Sequence, residues 1–414
     1  MRKTLARVTL AVASLLASYA VVEWFVFPRL LMHLSLPVYG VVGDVTLFLP
    51  QTSKQGLFPR DYVALQGDSY AVGLGDCLGG GSPATGDCPS LANLLHERSG
   101  RDVVSLAIPG AGSIDGLIAD PAAQIAYGQA LSRGRMQPPT TVLLLFYEGN
   151  DLDNNLNDLQ HHYVERDYDR SRFHERAYFA EFVRREFIGR NPIHQAASEL
   201  GFGDRLLFFQ TLRRMGSAMI SGESTFSTLN HGQSQETAKD RMSQRLPVDR
   251  HLVLTIGGEP HTVPYFLEHP SMFALPYEVE TALRVFEQSL TLAMDSQPEA
   301  NFGVLYLPSP LTSYDIASTS VSIEAFYSDD RSTIIDTASL GPRSDDIAKR
   351  IQEITLAAGA EFEDGRPAIR QASAREMLHG PNDWKHFNER GYQALAEPAF
   401  ELLQRVEANN TPQH

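Results

Sequence analysis

Two short motifs far apart in the chain carry the side chains of a nucleophilic catalytic group. Gly67-Asp68-Ser69 follows a short apolar run, which predicts a strand that ends at a serine. Asp383-Trp384-Lys385-His386, near the other end of the chain, supplies an acid and an imidazole. A serine hydroxyl becomes a good nucleophile when a histidine takes its proton and a carboxylate orients the histidine ring. The two motifs therefore predict that His386 activates Ser69 and that Asp383 orients His386.

Each motif also has a simpler interpretation. Gly-Asp-Ser is an ordinary turn sequence, and an Asp three residues before a His is typical of a helix start, where Asp is a favoured N-cap. Residues three apart on one helical turn share a face, so both catalytic side chains would point the same way. We therefore predict that a helix with one apolar side runs from His386 to Ala396.

Two loops between these motifs supply hydrogen-bond donors. Residues 103–108 and 141–147 are apolar runs typical of buried parallel strands. Gly110 follows the first run and Asn150 follows the second, so both loops should lie at the same sheet edge as Ser69. The N–H groups of Ser69 and Gly110 and the side-chain amide of Asn150 are candidates to bind a developing oxyanion. Taken singly, each glycine in these loops is equally typical of a tight turn.

In this order, the motifs resemble those of the SGNH (GDSL-type) hydrolase superfamily. The matching segments are Gly67-Asp68-Ser69, Gly110, Gly149-Asn150-Asp151 and Asp383-Trp384-Lys385-His386, followed by His386-Phe387-Asn388 and Gly391-Tyr392. The resemblance implies Ser69 as nucleophile, His386 as general base and Asp383 as its orienting acid. It also implies an oxyanion hole built from Ser69, Gly110 and Asn150.

The same resemblance implies a fold. Members of the family are flavodoxin-like α/β proteins, in which a mostly parallel five-stranded sheet lies between helices in a three-layer α/β/α sandwich. They cleave or transfer acyl esters without a cofactor or metal. One position departs from the family pattern, because Glu148 stands where many members carry a second glycine. We expect the Glu148 side chain to pack outward without altering the chemistry.

The amino terminus predicts an exported, membrane-anchored chain. Arg2, Lys3 and Arg7 precede an apolar stretch from Val8 to Phe27, which has the length of about 20 residues that a spanning helix needs. A positive flank before such a stretch places the rest of the chain outside the cytoplasm. A cleavable signal peptide is the alternative, because Ser18-Tyr19-Ala20 suits a cleavage site. We favour an uncleaved anchor, since the apolar character continues past that site.

The two cysteines agree with an oxidising compartment. Cys77 and Cys88 enclose a glycine-rich segment that is costly to order, and a cross-link would lower that cost. We therefore expect a Cys77–Cys88 disulfide. No histidine lies near them at a zinc-ligand spacing, and His161, His162 and His174 lack matching carboxylates, so we expect no metal site.

Length and charge predict one large domain behind the anchor. The chain has 414 residues and a formal net charge of −15, which argues against nucleic-acid binding. The domain would need far fewer residues than the chain supplies, which predicts a largely helical insertion. Residues 251–256, followed by Gly257-Gly258, are expected to form a hairpin within it. The predicted parts are a signal anchor at 1–29, a connector at 30–60, the domain at 61–407 with the insertion at about 152–300, and a flexible tail at 408–414.

These inferences predict an extracytoplasmic (periplasmic or extracellular) serine esterase for O-acyl groups, with acetylated carbohydrate as the expected substrate. An O-acetyltransferase that modifies a cell-envelope or exported polysaccharide is the first alternative, and the sequence does not reveal whether a membrane-protein partner supplies its acyl groups. A catalytically silent polysaccharide-binding or assembly subunit is the second, and a phospholipase is the third. His379 is expected to line the cleft, whereas Asp151 and Asp153 are expected to be turn and cap residues.

Overall fold

A parallel sheet of five strands forms the centre of the molecule. The computed structural model describes residues 2–33, 48–75, 90–166, 168–201, 203–221, 251–264, 267–325 and 328–408. The sheet strands are β1 (Tyr62–Gln66), β2 (Asp102–Ser105), β3 (Thr141–Tyr147), β6 (Asn301–Leu307) and β10 (Glu361–Asp364). They are arranged in the order β10-β6-β3-β1-β2, and every neighbouring pair is parallel. The predicted α/β class and the predicted mostly parallel five-stranded sheet are thus confirmed.

Helices cover both faces of this sheet, which explains the continuous apolar runs of its strands. On one face Ala64, Val142 and Phe146 pack against helices, whereas Val63, Leu143 and Leu145 pack on the other. The first face is covered by α5 (Asp120–Ser132), α6 (Asp151–Arg166), α10 (Pro276–Ser296) and α12 (Leu340–Ala357). The second face is covered by α4 (Leu91–Ser99), α13 (Arg366–Ser373) and α14 (Glu389–Ala408).

The long middle of the chain adds helices and an antiparallel hairpin. The helices are α7 (Arg176–Glu186), α8 (Pro192–Glu199) and α9 (Leu207–Ser221). Phe179 and Phe182 lie three residues apart on α7, and both are buried in the main core. Strands β4 (His251–Ile256) and β5 (Glu259–Pro264) form the predicted hairpin around Gly257 and Gly258.

A second group of short elements lies between β6 and α12, and it was not predicted from the sequence. After the short helix α11 (Pro310–Ser313), strand β7 (Asp315–Ile316) pairs with β4, which makes a three-stranded antiparallel sheet. Strands β8 (Ser320–Ala325) and β9 (Ser328–Asp336) then pair with each other. Strand β7 has two residues, and three of the nine residues of β9 are Asp, which is depleted in strands.

The N-terminal segment is one long helical stretch. Helix α1 (Arg2–Val21) continues through a π-helical turn, Val22–Val26, into α2 (Phe27–Leu31). The stretch Lys3–Leu31 has 29 residues, and its most apolar 18-residue segment has a mean hydropathy of 1.9, so the stretch is long and apolar enough to span a membrane or to serve as a signal sequence. Residues 48–60 pack along the free edge of β2, where the Val103 N–H donates to the Ser53 carbonyl.

Candidate functional site

Ser69 lies where β1 turns into the four-residue helix α3 (Ser69–Val72) at the carboxyl edge of the sheet. Gly67 makes this turn with φ +133°, and a Cβ there would lie 2.7 Å from the Leu145 carbonyl oxygen on the neighbouring strand. Asp68 caps α3, since its Oδ1 accepts the Tyr70 N–H at 3.0 Å. The turn therefore needs glycine, and it holds the Ser69 hydroxyl at the end of the strand.

The structure brings Ser69, His386 and Asp383 into one hydrogen-bonded chain. Ser69 Oγ lies 2.9 Å from His386 Nε2, and His386 Nδ1 lies 2.7 Å from Asp383 Oδ2. If Asp383 accepts the proton of Nδ1, Nε2 is left as the acceptor for the Ser69 hydroxyl. Ser69 Oγ also lies 3.3 Å from Asp68 Oδ2, a longer contact than the one to His386.

Asp383 and His386 lie on a loop rather than on a helix, so the predicted helix from His386 to Ala396 was wrong about its start. Asp383 Oδ1 accepts the N–H groups of Lys385 at 2.9 Å and of His386 at 3.2 Å, which closes a side-chain turn. Helix α14 begins at Glu389, where Asn388 Oδ1 accepts the Arg390 and Gly391 N–H groups. Asp383 thus has the hydrogen-bonding pattern of a cap without a helix behind it.

The charges of the site favour a basic imidazole. Burial by itself would lower the pKa of His386, but the charge and hydrogen bond of Asp383 outweigh it and raise the pKa above its usual 6.5. Burial opposes ionisation of Asp383 too, yet His386 and the two backbone N–H groups lower the pKa of this carboxyl to about 2. Asp383 is therefore an anion throughout the physiological range. The His386 side chain stays 17% exposed, and it opens the site to solvent.

The three predicted oxyanion donors all lie at this edge of the sheet, with different surroundings. Asn150 is buried, and its Nδ2 donates to Asp68 Oδ2 at 3.1 Å, while its Oδ1 has no hydrogen-bond partner among the described residues. Gly110 is exposed in the turn after β2, with φ +76°. The Ser69 N–H belongs to the first residue of α3. Asp68 therefore connects the nucleophile turn to the Asn150 loop.

Glu148 does not pack outward as predicted, because it is fully buried. Its Oε1 accepts the N–H of Ser309 at 2.8 Å and the Ser309 hydroxyl at 2.9 Å, and the Thr312 hydroxyl donates to it as well. Its Oε2 accepts the hydroxyls of Tyr306 and Ser344, both at 2.6 Å. The carboxylate thus joins the ends of β3 and β6 to helix α12.

Sequence reasoning missed a group of side chains that supports the His386 loop. The Tyr70 hydroxyl donates to the Lys385 carbonyl at 2.6 Å, and its ring centroid lies 5.3 Å from that of His386. The Tyr147 hydroxyl donates to Glu268 Oε2 at 2.6 Å, and Lys385 Nζ lies 3.8 Å from Glu268 Oε1. Tyr70 directly follows Ser69, which was the available signal. Nothing in the sequence near Glu268 indicated its place.

Other sequence-predicted residues lie apart from the catalytic chain. His379 is fully buried rather than lining a cleft, with Nδ1 2.8 Å from the Tyr314 hydroxyl. Asp151 begins α6, and its Oδ2 accepts the Tyr147 N–H at 2.8 Å, as expected for a turn residue. His174 is exposed. Cys77, Cys88 and the side chains of His161 and His162 lie outside the described residues. Within the described ranges, no group of three or more His, Cys, Asp and Glu residues is placed to hold a metal ion.

Comparisons with known proteins add little to this geometry. The sequence matches no protein-family model and no curated protein. Among solved structures, an extracellular lipase from Streptomyces rimosus superposes with a TM-score of 0.35 at 14% sequence identity, over 84% of this chain and 100% of the lipase. A superposition at this score does not establish a common fold, so the assignment of a function rests on the side chains described above.

Proposed function

We propose that the protein is a serine-dependent ester hydrolase of the SGNH type, with Ser69, His386 and Asp383 as its catalytic triad. The observation that carries the proposal is the continuous chain of contacts from Ser69 Oγ through the His386 ring to Asp383 Oδ2, at 2.9 and 2.7 Å. Nucleophile, base and orienting acid at these separations are the arrangement that acyl transfer needs. The parallel five-stranded sheet with helices on both faces is compatible with a three-layer SGNH sandwich.

The proposed reaction proceeds through an acyl-enzyme. As Ser69 Oγ bonds to the ester carbonyl carbon, its proton passes to His386 Nε2. The tetrahedral intermediate then breaks its bond to the alcohol oxygen, which leaves with the proton from Nε2. In the second half, water attacks the acyl carbon and gives a proton to His386 Nε2. The bond between the acyl carbon and Ser69 Oγ then breaks, the proton passes from Nε2 to Ser69 Oγ, and the acid is released. Asp383 stays ionised and stabilises the imidazolium in both halves.

We propose Ser69 N–H, Gly110 N–H and the Asn150 amide as the donors to the oxyanion. The Asn150 nitrogen carries two hydrogens, of which one is directed at Asp68, so the second can donate to substrate. Such donors stabilise the charge that develops on the carbonyl oxygen. Their proposed role predicts that Asn150→Ala lowers turnover far more than substrate affinity.

We further propose a short acyl group, with an acetyl ester of a carbohydrate as the substrate and an extracytoplasmic location for the reaction. The choice of an acetyl ester of a carbohydrate rests on the proposed extracytoplasmic location and on the resemblance to the SGNH family. The apolar N-terminal helix supports membrane attachment. Hydrolysis and transfer share the acyl-enzyme, so product analysis with a polysaccharide acceptor separates them. Free acid supports the hydrolase, whereas acylated polysaccharide supports an O-acetyltransferase.

The direct test is labelling of the full chain in detergent with a fluorophosphonate, followed by mapping of the adduct by mass spectrometry. We expect one adduct at Ser69 that is lost in Ser69→Ala and reduced strongly in His386→Ala. His174→Ala replaces an exposed histidine away from the triad and is the matched control, which should label like the wild type. Absence of labelling in a folded protein would contradict the proposal and favour a non-catalytic, polysaccharide-binding role.

A further inference from the structure

Helix α9 is joined to the N-terminal helical stretch through a buried carboxylate. Glu23 lies in the π-helical turn and is 2% exposed. Its Oε1 accepts the Phe208 N–H at 3.0 Å, and its Oε2 accepts the Phe209 N–H at 3.2 Å. These N–H groups lie in the first turn of α9, where no intrahelical acceptor exists and negative charge is favourable. Glu23 thus caps α9 from another part of the chain.

Apolar contacts hold the same two elements together. Phe27 and Leu31 are buried, and they pack with Leu207 and Phe208 at the start of α9. The ring centroids of Phe27 and Phe208 lie 5.2 Å apart in an edge-to-face arrangement. The first turn of α9 therefore has a fixed position beside the end of the apolar N-terminal stretch.

Large apolar side chains remain exposed on both of these elements. Trp24, Phe25 and Leu30 on the N-terminal stretch are 59%, 58% and 55% exposed. On α9, Phe209 and Leu212 are 48% and 49% exposed. These two lie three residues apart, so they share a face of the helix. Exposed apolar groups of this size, gathered on adjoining elements, are typical of an interaction surface.

We propose that Phe209 and Leu212 of α9 insert into the membrane interface beside the anchor, so that α9 is a lateral lipid-binding helix. The inference rests on the proposed membrane insertion of α1. About 20 helical residues cross the hydrocarbon core, so the predicted span Val8–Phe27 ends within one turn of Trp24. That places Trp24 at the interface, where tryptophan is favoured, and places the start of α9 at the same level.

The charge next to the exposed apolar residues of α9 agrees with a lipid surface. Arg213 is exposed and follows Leu212 directly. A basic residue beside apolar ones suits an interfacial helix that contacts lipid phosphates. Two points of attachment, the spanning helix and α9, would fix the orientation of the domain on the membrane.

The test uses the full chain in vesicles of phosphatidylcholine and phosphatidylglycerol that contain a doxyl-labelled lipid as quencher. A fluorophore is attached in Phe209→Cys and in Leu212→Cys. Leu15→Cys is the reference within the apolar stretch, and Leu356→Cys, 53% exposed on α12, is the aqueous control. Wild-type protein treated identically measures any labelling at Cys77 and Cys88. We expect severalfold stronger quenching at positions 209 and 212 than at 356.

The outcomes separate this proposal from its premise. Quenching at position 15 but not at 209 and 212 would overturn the lipid-binding role of α9 alone. Absence of quenching at position 15 would overturn membrane insertion itself, whatever the enzymatic activity. Cross-linking between copies through position 209, without quenching, would assign the surface to self-association instead. Photolabelling of the wild-type chain by a diazirine lipid, with mapping of the α9 peptide, gives the same decision without substitutions.

Discussion

Asp383 and Glu148 are two acidic residues near the carboxyl edge of the same sheet, and their surroundings differ. Asp383 accepts from the ring of His386, a titratable group that contacts Ser69. Glu148 accepts from neutral hydroxyls and a backbone N–H, and it is fully enclosed. In the proposed mechanism, Asp383 takes part in catalysis because its donor, His386, can exchange a proton with Ser69. The donors to Glu148 are hydroxyls and a backbone N–H that do not exchange protons with Ser69, so this carboxylate holds elements of the fold together.

The elements that Glu148 connects are those that present the catalytic edge. It stands between β3, which leads to Asn150, and the loop after β6, whose Ser309 supplies two of its donors. Arg366 adds to the cluster by donating to the Ser344 hydroxyl at 3.1 Å. The cluster therefore fixes the loops behind the site, whereas Asp383 acts within it.

Replacement of Asp383 by asparagine should have the largest effect of the changes that test this contrast. The oxygen of the new amide should stay with the Lys385 and His386 N–H groups, which leaves the NH2 group facing His386 Nδ1. That nitrogen then accepts, and Nε2 carries the proton and cannot take one from Ser69. We expect kcat/KM for a short-chain ester to fall about 10⁴-fold.

The melting temperature of the same variant decides between a catalytic and a structural effect. The contrast predicts little change, because the turn keeps its two backbone hydrogen bonds. A large loss of stability in Asp383→Asn would show that both acids are structural.

Glu148→Gln should lower the stability of the fold and leave kcat/KM nearly unchanged, the reverse of Asp383→Asn, and its effect should be smaller. The amide oxygen can keep the Ser309 donors, but the NH2 group then faces the Tyr306 and Ser344 hydroxyls and replaces a charged acceptor. Loss of charge-assisted hydrogen bonds in a buried site should cost about 2 kcal/mol of the free energy of unfolding. Urea unfolding measures it, and kcat/KM of the folded fraction should stay within a few-fold of the wild type.

The control for Glu148 is Glu353→Gln, which changes an exposed acid on α12 with the same substitution. Its free energy of unfolding should not change measurably. If Glu148→Gln lost activity as completely as Asp383→Asn while remaining folded, the proposed division between the two acids would be wrong.

The contrast also explains how far the sequence could predict this molecule. The strand residues 62–65 and 141–147 were recognisable because buried parallel strands are apolar along their whole length. Ser69 and the Asp383–His386 pair were recognisable because the types and spacing of reactive side chains are local. The surroundings of Glu148 could not be predicted from the sequence, because its hydroxyl donors at Tyr306 and Ser344 follow it by 158 and 196 residues. The true start of α14 was also missed, since Asp383 closes a turn with the hydrogen bonds of a helix cap.

The dependence of kcat/KM on pH gives the smallest expected effect of these tests, and it should differ in origin for Asp383 and Glu148. Neutral His386 is the base, so kcat/KM should fall about tenfold per pH unit as pH drops below its pKa, which lies above 6.5. A raised pKa in the fold means that the Asp383–His386 pair stabilises the protein fully below the unfolded pKa and loses this contribution as pH rises through the folded one. Activity should therefore rise over the same range in which this part of the stability declines. The hydroxyl donors of Glu148 do not titrate there, since burial raises the pKa of Tyr306 further above 10. Glu148→Gln should therefore keep the wild-type acid limb, and a shifted limb in this variant would contradict the separation.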